Sequence, residues 1–134
     1  MKPEEVKIGN YFLLYKFGTY VKINSICASE EDNFCVVPIK NNSICYWINN
    51  PIPIRLNEKW FKKFKFKKID NDFCDYVFDR YKIIFEIGFN SKPICTVWTH
   101  TEHTGNDWLI ATIEYVHQFQ NLYFSLTGEE LTIK

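Results

Sequence analysis

The stretch NEKWFKKFKFKK, residues 57–68, contains the change of hydrophobic period on which the fold assignment turns. Asn57 suits a helix N-cap, and Glu58 suits the positive end of a helix dipole. Trp60, Phe61 and Phe64 are spaced to share one helical face, while Lys59, Lys62 and Lys63 share another at i, i+3 and i+4. After Phe64 the period becomes two, with Phe66 set against Lys65 and Lys67. The spacing predicts a short basic helix running into a strand, aromatics inside and lysines outside, and so an α+β chain.

Upstream, the pattern is that of short strands and tight turns. NYFLLY (10–15), YVKINSI (20–26), FCVVPI (34–39) and CYWI (45–48) read as strands separated by KFGT, SEEDN and KNNS. Pro38 cannot donate to a ladder and marks an edge or an end. Four such strands predict an SH3-like small β-barrel or curled sheet over residues 1–56. The prolines of NNPIPI (49–54) then impose an extended connector.

Downstream, DYVF (75–78), YKIIFEI (81–87), PICTVWT (93–99) and WLIATI (108–113) predict a mainly antiparallel sheet, the first pairing with the second. EYVHQFQNLYFSLTG (114–128) is the clearest helix, with Val116, Phe119, Leu122, Tyr123 and Leu126 as its apolar stripe and Gly128 as its stop. This helix is expected to pack on that sheet, and ELTIK (130–134) to add an edge strand. The expected organisation is a single compact domain, 1–134, with subdomains 1–56 and 57–134.

The totals exclude several classes of protein. Sixteen basic residues balance sixteen acidic ones, so no global field draws in nucleic acid, and contact with it requires a local patch. The five cysteines, Cys27, Cys35, Cys45, Cys74 and Cys95, form no CxxC pair and read as reduced thiols of a cytosolic protein. MKPEEVKIGN lacks an apolar signal core, and no apolar run approaches the roughly 20 residues of a membrane span. The expected location is the cytosol of a bacterial host.

Three segments together resemble a family of small proteins from Bacteroidetes phages, prophages and their hosts. They are KPEEVKIGNYFLL (2–14), IPIRLNEKWFKKFKF (52–66) and VHQFQNLYFSLTGEEL (116–131). The closing segment is the most specific. In the middle one, Asn57 stands where Thr is usual and Lys65 where Gly is usual. The resemblance implies a mobile-DNA setting and an accessory role. Inhibitors of host defence belong to that setting, among them anti-CRISPR proteins acting on type VI-B effectors, which are RNA-guided nucleases.

Chemistry-bearing residues are few. His100 and His103 flank Glu102 in a polar loop, but no third strong ligand accompanies them, and no metal site is assigned. His117 lies beside the apolar stripe of the last helix and reads as a hydrogen-bonded structural histidine, with no nucleophile to serve. No phosphate-binding glycine loop, nucleophile elbow or acidic pair is present, so neither an enzyme nor a cofactor is expected. The candidate site is the basic run Lys59, Lys62, Lys63, Lys65, Lys67 and Lys68, with Arg55 and Arg80 as candidates to extend it. It reads either as a solvated face whose long stems cover the core edge or as a ridge facing RNA phosphates or an acidic protein groove. The expected function is inhibition of a host defence complex by binding, the partner being a CRISPR effector or its guide RNA. The alternatives are an interaction module of a mobile element with a protein partner, and a small RNA- or DNA-binding regulator.

Overall fold

A computed structural model describes residues 5–14, 19–28, 34–37, 39–40, 44–45, 48–49, 51–68, 76–80, 83–89, 95–100 and 107–133. In chain order they form strands β1 (Tyr11–Leu14), β2 (Thr19–Lys22), β3 (Ser25–Ala28), β4 (Phe34–Val37), β5 (Ile39–Lys40), β6 (Ile44–Cys45) and β7 (Ile48–Asn49). Helix α1 (Glu58–Lys63) follows, then β8 (Lys67–Lys68), β9 (Tyr76–Arg80), β10 (Ile83–Phe89), β11 (Cys95–His100), β12 (Asp107–Ile113) and helix α2 (Val116–Thr127). The class is α+β. The chain divides into two compact units, one of Met1–Arg55 with Tyr115–Glu130, the other of Leu56–Glu114 with Leu131–Lys134.

In the first unit the strands make three small antiparallel sheets, β1-β2, β3-β4-β7 and β5-β6. Among the described residues no closed barrel joins them, so the SH3-like closure expected for 1–56 is not seen. Helix α2 packs on β1 and groups with this unit, whereas the sequence placed it on the second-half sheet. Its side toward the unit's interior buries Val116, Phe119 and Tyr123, and the unit's other buried side chains include Val6, Tyr11, Phe12 and Ile23. Leu122 and Leu126, also assigned to the stripe, are half-buried.

The polar side chains of α2 explain why it belongs here. The Tyr11 N–H donates to Gln120 Oε1 at 2.9 Å, and Gln120 Nε2 donates to the Gly9 carbonyl at 3.0 Å. Asn121 Nδ2 donates to the Glu5 carbonyl at 2.8 Å, while Asn10 Nδ2 donates to Asn121 Oδ1 at 3.1 Å. Two amides thus satisfy backbone groups of a segment more than a hundred residues away in the chain. Gly9 adopts φ 95°, and a Cβ there would sit 3.1 Å from a Glu130 carboxylate oxygen. Residues 5–14 and 116–130 are therefore two halves of one packing arrangement.

In the second unit, strands β8 to β12 form one antiparallel sheet in the order β12-β11-β10-β9-β8, including the expected pairing of β9 with β10. Strand β8 is its two-residue edge, with Lys67 opposite Val77 and Lys68 opposite Tyr76. The edge strand expected of ELTIK is not seen among its described residues, 130–133, which have no regular structure.

Candidate binding surface

Helix α1 is set up by local chemistry at both ends. Asn57 is the N-cap, its Oδ1 accepting from the Lys59 N–H at 3.0 Å, and Glu58 occupies the first turn. At the other end Phe64 is the C-cap, and Lys65 adopts the left-handed conformation at φ 63°. The Lys65 N–H donates to the Lys62 carbonyl at 3.1 Å, and the Phe66 N–H to the Phe61 carbonyl at 3.0 Å. These two bonds are the Schellman pattern, completed by its apolar contact: the rings of Phe61 and Phe66 meet edge to face, 5.6 Å apart. The turn converts a helical period into β8, as the spacing predicts. Asn57 and Lys65 are thus the cap and the left-handed residue of this one helix.

The arrangement separates apolar from charged groups almost completely. Trp60, Phe61, Phe64 and Phe66 are all buried, none more than 6 % exposed. Lys59, Lys62, Lys65 and Lys67 are exposed. Lys63 stands apart from the other lysines: it is half-buried, its Nζ lying 4.5 Å from the centre of the Trp60 ring, which makes it a lid on the core edge. Lys68 follows Lys67 in the edge strand. Four of the six predicted lysines are thus exposed along helix face, turn and edge strand, Lys68 ends that strand, and Lys63 has a structural task. Arg55 belongs to the other unit, where its guanidinium lies over the Tyr115 ring at 5.0 Å. Arg80 closes β9.

The histidines separate as well. His100 ends β11; His103 and Glu102 lie outside the described residues, as do the SEEDN loop and most of HTEHTGND. Among the described residues no group of three His, Cys, Asp or Glu side chains is placed to hold a metal ion. His117 is 1 % exposed and stacks with Phe12 at 5.0 Å and with Tyr115 at 5.8 Å. It differs from expectation in its bonding. Neither ring nitrogen has a hydrogen-bond partner among the described residues, and the Glu5 carboxylate, at 3.9 Å from Nε2, is beyond hydrogen-bond reach. Burial pushes the imidazole below its ordinary pKa, with Glu5 pulling the other way.

Sequence reasoning missed the roles of Gln120 and Asn121. The available signal was Gln120, one turn after Val116 and beside the apolar stripe, where an unpaired amide would be costly. It also missed that Cys27 and Cys35 are register partners across β3 and β4. Among the described residues no helix is long and apolar enough to cross a membrane. Comparison with protein-family models, with curated proteins and with solved structures returns no match.

Proposed function

We propose that this chain is a non-enzymatic binding protein, a phage or prophage accessory factor that inhibits a host defence complex in the bacterial cytosol. Its partner is an RNA-guided effector or the guide RNA that the effector carries, and it works without a cofactor. The observation that supports this reading is the exposure of Lys59, Lys62, Lys65 and Lys67 along one run whose aromatics are all turned inward. A face of that composition gives local positive charge to a chain whose total is neutral.

The test is capture of partners from a Bacteroidetes host lysate, with and without ribonuclease, by wild type and by Lys59→Glu/Lys62→Glu/Lys67→Glu. Lys63 is left in place because it covers Trp60. Wild type is expected to retain a ribonucleoprotein and the folded variant to lose it. Equal capture by both overturns the reading.

A second reading has its own observation. Lysines on a two-residue edge strand also guard that edge against pairing with another chain. On that reading Lys67→Val/Lys68→Val aggregates, while Lys59→Glu/Lys62→Glu changes nothing.

A further inference from the structure

We infer that the lysine run is a docking surface for the phosphodiester backbone of double-helical RNA, held by charge and without contact to bases. The inference rests on the binding reading above and specifies its ligand. Three observations lead to it.

The first is composition. Between residues 57 and 67 the exposed side chains are Asn57, Glu58 and the four lysines Lys59, Lys62, Lys65 and Lys67. Protein–protein interfaces are built around aromatic, methionine or arginine anchors in a desolvated centre, and lysine is depleted there. This run exposes no such anchor. Nucleic-acid interfaces are polar and strongly positive, which is what it does offer.

The second is the position of the rings. Proteins that hold single strands stack bases on exposed aromatics. Here Trp60, Phe61, Phe64 and Phe66 are buried in the core, and the edge of Trp60's site is covered by Lys63. Asn57, the one amide in the run, has its oxygen engaged in capping the helix. Nothing here is arranged to read a base edge, which needs a bidentate amide or guanidinium. Lysine is a point charge suited to phosphate, and RNA duplexes are recognised chiefly through backbone and shape.

The third is Lys65 itself. A side chain at φ 63° carries steric strain that glycine would not. What lysine adds at that strained position is a cation at the turn, linking the charges of α1 to those of β8.

The experiment measures binding of the full-length protein to labelled RNA duplexes of about 20 base pairs, long enough to present two successive minor grooves. Two unrelated sequences are compared with a single strand of equal length and with polyglutamate, each at several salt concentrations. The two duplexes should bind equally, the single strand more weakly, and polyglutamate not at all. Log affinity should fall against log salt with a slope of about −3 to −4 if all four exposed lysines meet phosphates. Lys59→Glu/Lys62→Glu/Lys67→Glu, with an unchanged circular dichroism spectrum, should lose more than about tenfold, and the Gln counterpart less.

A preference for single strands or for one duplex sequence overturns the inference. So does duplex binding that the Glu variant retains. If polyglutamate binds and the duplexes do not, the surface is an acidic-protein site; the inference then fails while the inhibitor reading survives, provided the Glu variant still loses lysate capture. Undiminished lysate capture by that variant brings down the inhibitor reading instead.

Discussion

Helices α1 and α2 reach stability by opposite routes. Among the described residues, the features that start and stop α1 lie between Asn57 and Phe66: a side-chain cap, a left-handed residue and the contact of Phe61 with Phe66. Helix α2 has a local stop at Gly128, but its placement is decided by Gly9, Asn10 and Tyr11, at the far end of the sequence. A short helix with local determinants is free to present its outer face to a partner. A longer one that closes the N-terminal segment by specific amide bonds has its buried side committed to the fold.

The largest effects should come from the centres of the two cores, where the helices behave alike. Phe61 and Phe119 are each no more than 1 % exposed. Truncation of either to Ala should cost about 3–5 kcal/mol in chemical denaturation, from lost transfer energy and the residual cavity. A small loss in one and a large loss in the other would show that only one helix belongs to a rigid core.

The next test separates them. Gln120→Leu keeps approximate volume but orphans the Tyr11 N–H and the Gly9 carbonyl. The expected loss is about 2–4 kcal/mol, since each buried, unsatisfied group costs about 1–3 kcal/mol. The counterpart at α1, Asn57→Ala, removes one exposed capping bond and should cost about 1 kcal/mol. Equal losses would erase the contrast between a long-range anchor and a local cap.

These residues also indicate what was legible in the sequence. Asn57, Glu58, the aromatic spacing and the switch of period at Phe64 are local signals, and α1 and β8 follow from them almost residue for residue. The antiparallel pairing of β9 with β10 was readable from alternation and a short connection. The platform of α2 was not, because an apolar stripe specifies that a face is buried and not what buries it. The match between two amides and the backbone of residues 5–11 identifies the partner, and periodicity carries no information about a contact of such range. The exposure of Lys59, Lys62, Lys65 and Lys67 was legible for the same reason as α1; the place of Lys63 was not, since its position over Trp60 depends on a rotamer.

His117 adds a pH test to the α2 side. Burial lowers its folded pKa below the unfolded value of 6.5, so the unfolded chain binds the proton more readily. The contribution is fully present above pH 6.5 and is lost as pH falls from there toward the folded pKa, with a slope of at most about 1.4 kcal/mol per pH unit. His117→Phe keeps a ring beside Phe12 and Tyr115 and removes two unpartnered nitrogens. Its stability should vary less between pH 6.5 and 5 than that of wild type. An unchanged pH profile would place the titrating group elsewhere.

The smallest effect sharpens the comparison most, because it asks whether α1 is optimised for folding at all. Lys65 is a non-glycine residue at the left-handed position of a Schellman turn. Glycine there relieves steric strain between Cβ and the backbone but loses more conformational freedom on folding, so Lys65→Gly should stabilise by about 0.5–1 kcal/mol. Lys65→Ala keeps the strain and removes the charge, so it should leave stability near that of wild type. RNA-duplex binding should fall to the same extent in both variants, because both lose the same cation. That combination, stability divided by backbone strain and binding divided by charge, is what a helix shaped for its outer face would give. If Lys65→Gly is the more stable protein and binds the duplex as well as wild type, Lys65 contributes nothing to the surface that its strain would justify, and the charged run shrinks to the outer face of α1 and its edge strand.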